Sequence, residues 1–146
     1  MVFIIPALFS LFSMASATSG GYQLKKFVAI DTKKEVLLDT TIINPYRTKG
    51  TIESVNFNYN LTQFNNGANI DDVTLYLCTK NGSRCYPLIY QSGTITDPFK
   101  GYSASEPFML LYGVLCKRRL CAGESESLNI PTHYVELKLN VQYKLN

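Results

Sequence analysis

The sequence has no tryptophan and one histidine, His133. A single imidazole cannot supply the pair in an H-E-x-x-H zinc site, and neither a G-x-S-x-G elbow nor a glycine-rich phosphate loop occurs. His133 follows Pro131-Thr132 at the start of the last strand, where a solvated loop imidazole is the ordinary reading. Charge is nearly balanced, with 14 Lys and Arg against 11 Asp and Glu and a formal net charge of +3. That excludes the dense basic face of a nucleic-acid binder. The close carboxylate pairs are Asp71 with Asp72 and Glu124 with Glu126. Neighbouring strand residues point to opposite faces and serine-rich loops solvate their acids, so neither pair makes a glycosidase site. The alternating oxygen ligands of a calcium loop are also missing. These absences predict a non-enzymatic protein with no catalytic residue, no metal and no cofactor.

Long apolar runs are scarce too. The chain opens MVFIIPALFSLFSMASA, uncharged and closing on Ala15-Ser16-Ala17, the small-x-small pattern of a signal-peptidase site. No Lys or Arg precedes the run, a departure from the usual signal pattern. Its apolar core is too short to cross about 30 Å of hydrocarbon, and no later segment approaches about 20 apolar residues, so an integral membrane protein is not expected. Residues 1–17 read as a cleaved signal peptide and 18–146 as a single domain, long enough to bury a core. The expected location is secreted and extracellular.

What is present is strand pattern. Val73 to Tyr90 reads as a hairpin: Val73, Leu75 and Leu77 alternate with polar neighbours, Asn81-Gly82 supplies the positive-φ turn, and Tyr86, Leu88 and Tyr90 resume beyond it. Cys78 and Cys85 flank that turn. Four cysteines in an exported chain allow three pairings, and the local one, Cys78 with Cys85 and Cys116 with Cys121, is expected; a four-cysteine zinc site would need tighter spacing and a reducing compartment. Gly20 and Gly21 read as a flexible lead into YQLKKFVAI and EVLLDTTII, two further strands. Val55, Phe57, Tyr59 and Leu61 share one face of the next. Phe108 to Cys116 is apolar on both faces apart from Gly113, which suggests a central strand buried on both sides. Val135, Leu137, Leu139, Val141, Tyr143 and Leu145 alternate without fault with polar residues, fixing the register of the last strand. About eight strands without an amphipathic helix predict an all-β antiparallel β-sandwich, immunoglobulin-like, or a short barrel.

The surplus is aromatic, with 10 tyrosines and 8 phenylalanines. Some of these rings are core; others could line a gap between the sheets, and Phe57, Tyr59, Phe108 and Tyr112 are the candidates, with Lys117, Arg118 and Arg119 at its mouth facing an anionic head group. The plainer account of that basic triplet is a solvated loop tip. Asn60-Leu61-Thr62 and Asn81-Gly82-Ser83 are glycosylation acceptors, at Asn60 and Asn81.

The segments Lys49-Gly50-Thr51 before VNFNYNL, then VTLYLC, then Cys85-Tyr86-Pro87-Leu88 resemble the ML lipid-recognition domain family, in which a basic residue and glycine precede an apolar-aromatic strand and a cysteine is closely followed by Pro-Leu. The likeness covers about forty residues. It lacks the early cysteines that tie the family's first strand to its last. The resemblance implies a lipid or other apolar ligand held between two sheets. The alternative expectation is a protein-recognition module with a solid core, contacting a receptor or matrix partner through loops such as CKRRLC and the asparagine-rich stretch near Asn65. A gatekeeping basic loop has a measurable consequence. Replacing Lys117, Arg118 and Arg119 together with glutamine should weaken anionic amphiphiles by roughly tenfold to a hundredfold, less at high salt, and leave neutral ones unchanged in a binding titration. Equal loss for both would remove the role.

Overall fold

Strict alternation of apolar and polar residues gives each strand one face to bury, and two such sheets bury them against each other. The computed structural model describes residues 18–30, 37–62, 73–114 and 133–145. The strands are β1 (Ser19–Ile30), β2 (Leu37–Ile42), β3 (Thr51–Thr62), β4 (Val73–Thr79), β5 (Cys85–Pro87), β6 (Ser92–Ile95), β7 (Phe108–Val114) and β8 (His133–Lys144). They form two four-stranded sheets, ordered β1-β8-β3-β6 and β2-β7-β4-β5. Every pairing is antiparallel. The expected antiparallel β-sandwich of eight strands is the observed fold. No helix among the described residues is long and apolar enough to cross a membrane.

The faultless alternation of the last strand is the hub of the first sheet. Val135, Leu137, Leu139 and Val141 are fully buried. Their backbones pair on one side with Val28, Lys26, Leu24 and Tyr22 of β1 and on the other with Leu61, Tyr59, Phe57 and Val55 of β3. The alternation of β3 has one interruption, a bulge between Ile52 and Ser54 that lets Ile52 and Val55, three residues apart, both face the core.

In the second sheet β7 is central, between β2 and β4, as its composition predicts. Its inner face is the better sealed: Phe108 and Leu110 are fully buried, whereas Met109 and Leu111 keep partial exposure, with no second layer over them among the described residues. The Cys78–Cys85 disulfide bridges β4 and β5 at directly paired positions. Its hairpin is shorter on the far side than its pattern implies. Pro87 has no N–H to extend a ladder, and after one more bond, Leu88 N–H to the Leu75 carbonyl at 2.9 Å, the chain leaves for the other sheet. There it becomes β6 beside β3, with Tyr59 N–H donating to the Gln91 carbonyl at 2.8 Å. Gly20 and Gly21, expected as a flexible lead, are ordered in β1 opposite Tyr143 and Gln142. The Tyr143 side chain lies over Gly20, and a Cβ there would stand 2.5 Å from its hydroxyl, so a larger residue would have to displace that ring.

One end of the sandwich is laced together by the β2–β3 and β6–β7 connections. Ala104, fully buried, accepts from the Tyr22 hydroxyl at 2.7 Å and from Asn44 Nδ2 at 2.9 Å. Asn44 Nδ2 also lies 3.1 Å from the Tyr22 oxygen and 3.2 Å from the Glu106 carbonyl. Tyr46 stacks on Tyr22 at 5.0 Å and Tyr143 lies 5.9 Å away. The expected signal peptide and the Cys116–Cys121 pairing lie outside the described residues.

Burial is the main cause that pushes the Tyr22 phenol from its usual 10 up to about 12. A neutral phenol is therefore part of the fold. Its contribution is complete below the unfolded pKa near 10 and is lost as pH rises through about 12. In urea titrations between pH 7 and 12, Tyr22→Phe should be less stable by about 1–2 kcal/mol at neutral pH and should flatten the alkaline fall by an amount on the order of 2 kcal/mol. Parallel alkaline curves for the two proteins would refute it.

Candidate functional site

The four aromatic candidates come from facing sheets, Phe57 and Tyr59 from β3 and Phe108 and Tyr112 from β7, and the fold brings them into one core. Phe57, Tyr59 and Phe108 are buried within it and Tyr112 packs at its margin. The Phe57 ring lies over Gly93 of β6, leaving no room for a Cβ there. The Tyr59 hydroxyl reaches the Leu88 carbonyl at 3.5 Å, tying β3 to the segment that crosses between sheets. Burial raises its pKa. Phe108 meets Phe99 edge-on at 5.4 Å and Tyr102 at 5.9 Å. Lys117, Arg118 and Arg119, with Cys116 and Cys121, fall outside the described residues. Asn60 is exposed on β3, and Asn81 is exposed in the β4–β5 turn.

That turn forms one wall of a pocket of about 470 Å³. Gly82 takes the left-handed conformation at φ 73°, as the Asn-Gly pair predicts. Asn81 organises the turn through its side-chain oxygen, which accepts from Ser83 N–H at 3.1 Å, Ser83 Oγ at 2.8 Å and Thr79 Oγ1 at 3.2 Å. A backbone N–H can only donate, so the atom facing Ser83 N is the oxygen and the amide orientation is fixed. Asn81 Nδ2 is left without a protein partner among the described residues. Thr79 is buried, and its Oγ1 also accepts from Arg84 N–H at 3.2 Å.

The opposite wall is Lys100, Gly101, Tyr102 and Ser103. Tyr102 joins the two walls: its hydroxyl accepts from Lys80 N–H at 2.9 Å and donates to the Pro107 carbonyl at 2.8 Å. Burial is the main cause that raises its pKa. Three cations line the pocket, Lys80, Arg84 and Lys100. Lys80 pairs with Glu106 at 2.8 Å, and that hydrogen bond raises its pKa. Arg84 gives one N–H to the Pro98 carbonyl at 3.2 Å. Lys100 has no partner among the described residues. Sequence reasoning missed this site because Lys100 is sixteen positions from Arg84. The available signal was the pair of cations bracketing the Asn81-Gly82-Ser83 turn. Among the described residues no cluster of His, Cys, Asp and Glu suits a metal.

No family model and no curated protein matches the sequence. Among solved structures, the crystal structure of FlhE superposes with a TM-score of 0.63 at 23% identity, over 88% of this chain and 99% of that one. The two share a fold. A pilus protein from Bacillus endospore appendages, described as a novel family of disulfide-linked pili, aligns over 88% of this chain and 90% of that one with a TM-score of 0.40 and 10% identity. That match is too loose to bear on the fold. The FlhE likeness spans both sheets of the sandwich and establishes architecture alone.

Asn81 offers a clean test of the turn. Asn81→Asp keeps the accepting oxygen and should leave stability nearly unchanged, whereas Asn81→Ala removes the oxygen that accepts three bonds and should cost about 1 kcal/mol in chemical denaturation. Equal losses for the two variants would show that the side-chain oxygen does not organise the turn.

Proposed function

We propose that this protein is a non-enzymatic recognition domain that acts outside the cytoplasm through the surface of a closed sandwich. The observation that carries this reading is the fate of its aromatic surplus. Phe57, Tyr59 and Phe108, the best candidates to line a gap between the sheets, are buried against one another's neighbours in the common core. A lipid between the sheets, the ligand implied by the ML resemblance, would have to displace side chains that already fill that space, at a cost of a few kcal/mol for each large side chain unseated. Other large apolar groups go outward instead: Ile43, Ile89 and Tyr90 are 73%, 75% and 76% exposed. Ile89 and Tyr90 sit side by side on the crossing segment, the kind of side chain that anchors an interface. Export is supported by the apolar run of residues 1–17 and by the Cys78–Cys85 disulfide, which persists in oxidising compartments.

Native mass spectrometry of protein purified from its own secretory host tests the choice between surface and interior. The expected result is the mass of the processed chain, with any glycan, and no retained apolar ligand. A stoichiometric apolar adduct that organic extraction releases would return the protein to the carrier reading.

A further inference from the structure

The pocket between the β4–β5 turn and Lys100–Ser103 has a composition that selects its ligand. At about 470 Å³ it is an open surface cleft, with Lys80, Asn81, Ser83, Arg84 and Lys100 exposed along it. Its lining is hydroxyls, an amide and cations, with Tyr102 as its aromatic residue. That mixture rejects an acyl chain, which would strand the polar groups unpaired. Donors predominate. Of the three cations, the charge of Lys80 is matched by Glu106 at 2.8 Å. Arg84 commits one N–H to Pro98, leaving the rest of its guanidinium fork, and Lys100 is uncommitted among the described residues. Asn81 Nδ2 adds a donor, since the turn consumes the oxygen of that side chain three times over. The Ser103 hydroxyl is already paired with Ser105 at 3.0 Å.

A ligand that satisfies these groups must carry an anionic oxygen cluster for Arg84 and Lys100 and further acceptors for Asn81. A bare oxyanion supplies the first but leaves most of the volume to water. We propose that in chains carrying no glycan at Asn81 the pocket binds an acidic saccharide unit, a sugar ring bearing a carboxylate or a sulfate, with Arg84 and Lys100 on the acid group, Asn81 Nδ2 on a ring oxygen and Tyr102 beside the ring. The forked geometry of Arg84 suits either oxyanion, because both present two oxygens in one plane. The walls are fixed before binding. The disulfide and the Asn81 turn hold one, and the Tyr102 hydroxyl, bonded to Lys80 N–H and to the Pro107 carbonyl, holds the other. Preorganisation of this kind lowers the ordering cost of a weak polar ligand. The site deepens the recognition reading and rests on it, since it names a partner chemistry for the closed domain.

The test is a set of titrations of the full mature protein, produced without N-glycosylation, followed by amide chemical shifts. The probes are a glucuronate-containing disaccharide, a sulfated disaccharide, neutral maltose, inorganic sulfate and hexaglutamate. Saturable shifts confined to residues 79–84 and 100–103 are expected with one or both acidic disaccharides, and the stronger of the two identifies the acid group. Maltose should give none. Lys100→Gln should weaken the acidic disaccharide by about twofold to fivefold, the loss expected of one exposed charge contact, and raising salt should reduce the difference. Lys100 is exposed and uncommitted among the described residues, so shifts away from the pocket should be unchanged in that variant and its fold is checked in the same spectrum. The proposal is overturned if neither acidic disaccharide binds, if maltose, sulfate or hexaglutamate binds as tightly, or if Lys100→Gln binds like the parent. None of these outcomes produces an apolar adduct in native mass spectrometry, so failure here is distinguishable from failure of the recognition reading.

Discussion

The register of β8 is the constraint on which the rest of the sandwich depends. It is paired along its length with two other strands of 12 residues, β1 and β3. Val135, Leu137, Leu139 and Val141 can face the core only in one of two phases. A slip of one residue against either partner would bring Glu136, Lys138, Asn140 and Gln142 inward, each with a desolvation penalty that no listener in an apolar core could offset. Once β8 is fixed, β1 and β3 are fixed with it, and their inward residues, Leu24 and Val28 on one side and Val55, Phe57 and Tyr59 on the other, present the surface on which the second sheet closes.

The two sheets need further devices at their margins. β1 is a long edge strand, the kind that invites pairing with another chain. Lys25 is exposed on it, and by parity Lys26 stands on the inward side between Leu24 and Val28, half exposed at the rim. Placing a charge there makes an added strand costly to accommodate. The opposite margin is closed differently. The chain itself crosses from β5 to β6, and the Tyr59 side chain, bonded to the Leu88 carbonyl, braces the crossing from beneath. β5 and β6 can therefore be as short as three and four residues without fraying the core.

Strand existence was legible in the sequence wherever a period of two ran for several residues, as in β3 and β8, because that pattern has no competing helical reading. The disulfide was legible because Cys78 and Cys85 bracket an Asn-Gly turn at matching positions. The bulge at Glu53 was not drawn from the pattern, although Ile52 and Val55, three apart in a strand, carry its signature. The order of Gly20 and Gly21 could not be read from local propensity, since it depends on Tyr143, more than 120 residues away. The outer face of β7 shows the limit of composition: an apolar run predicts burial on both sides only if something lies on each side, and among the described residues Met109 and Leu111 have no layer over them. Of the cationic pocket, Lys80 and Arg84 bracketing the turn were legible, and Lys100 was not, for the same reason as the glycines. Lys80, Arg84 and Lys100 meet through the topology of a crossing chain and not through any spacing.

That topology also explains why a recognition site would form at this end of the sandwich. The turn at Lys80–Arg84 is held by the disulfide beneath it, and the segment Lys100–Ser103 is held by Gly101 N–H to the Ile52 carbonyl and Ala104 N–H to the Gly50 carbonyl, both at 3.0 Å. Two loops from different sheets are thus fixed to the same scaffold. A polar side chain at the tip of a free loop loses much of its binding energy in becoming ordered, whereas one on a loop already laced to buried strands loses only its own rotamer freedom. The lacing around Tyr22, Asn44 and Ala104 contributes to binding without touching the pocket, by keeping the β6–β7 connection from moving away from the hairpin. A polar pocket on this fold is therefore as rigid as the core behind it, and the alternation of β8 reaches the surface through that chain of hydrogen bonds.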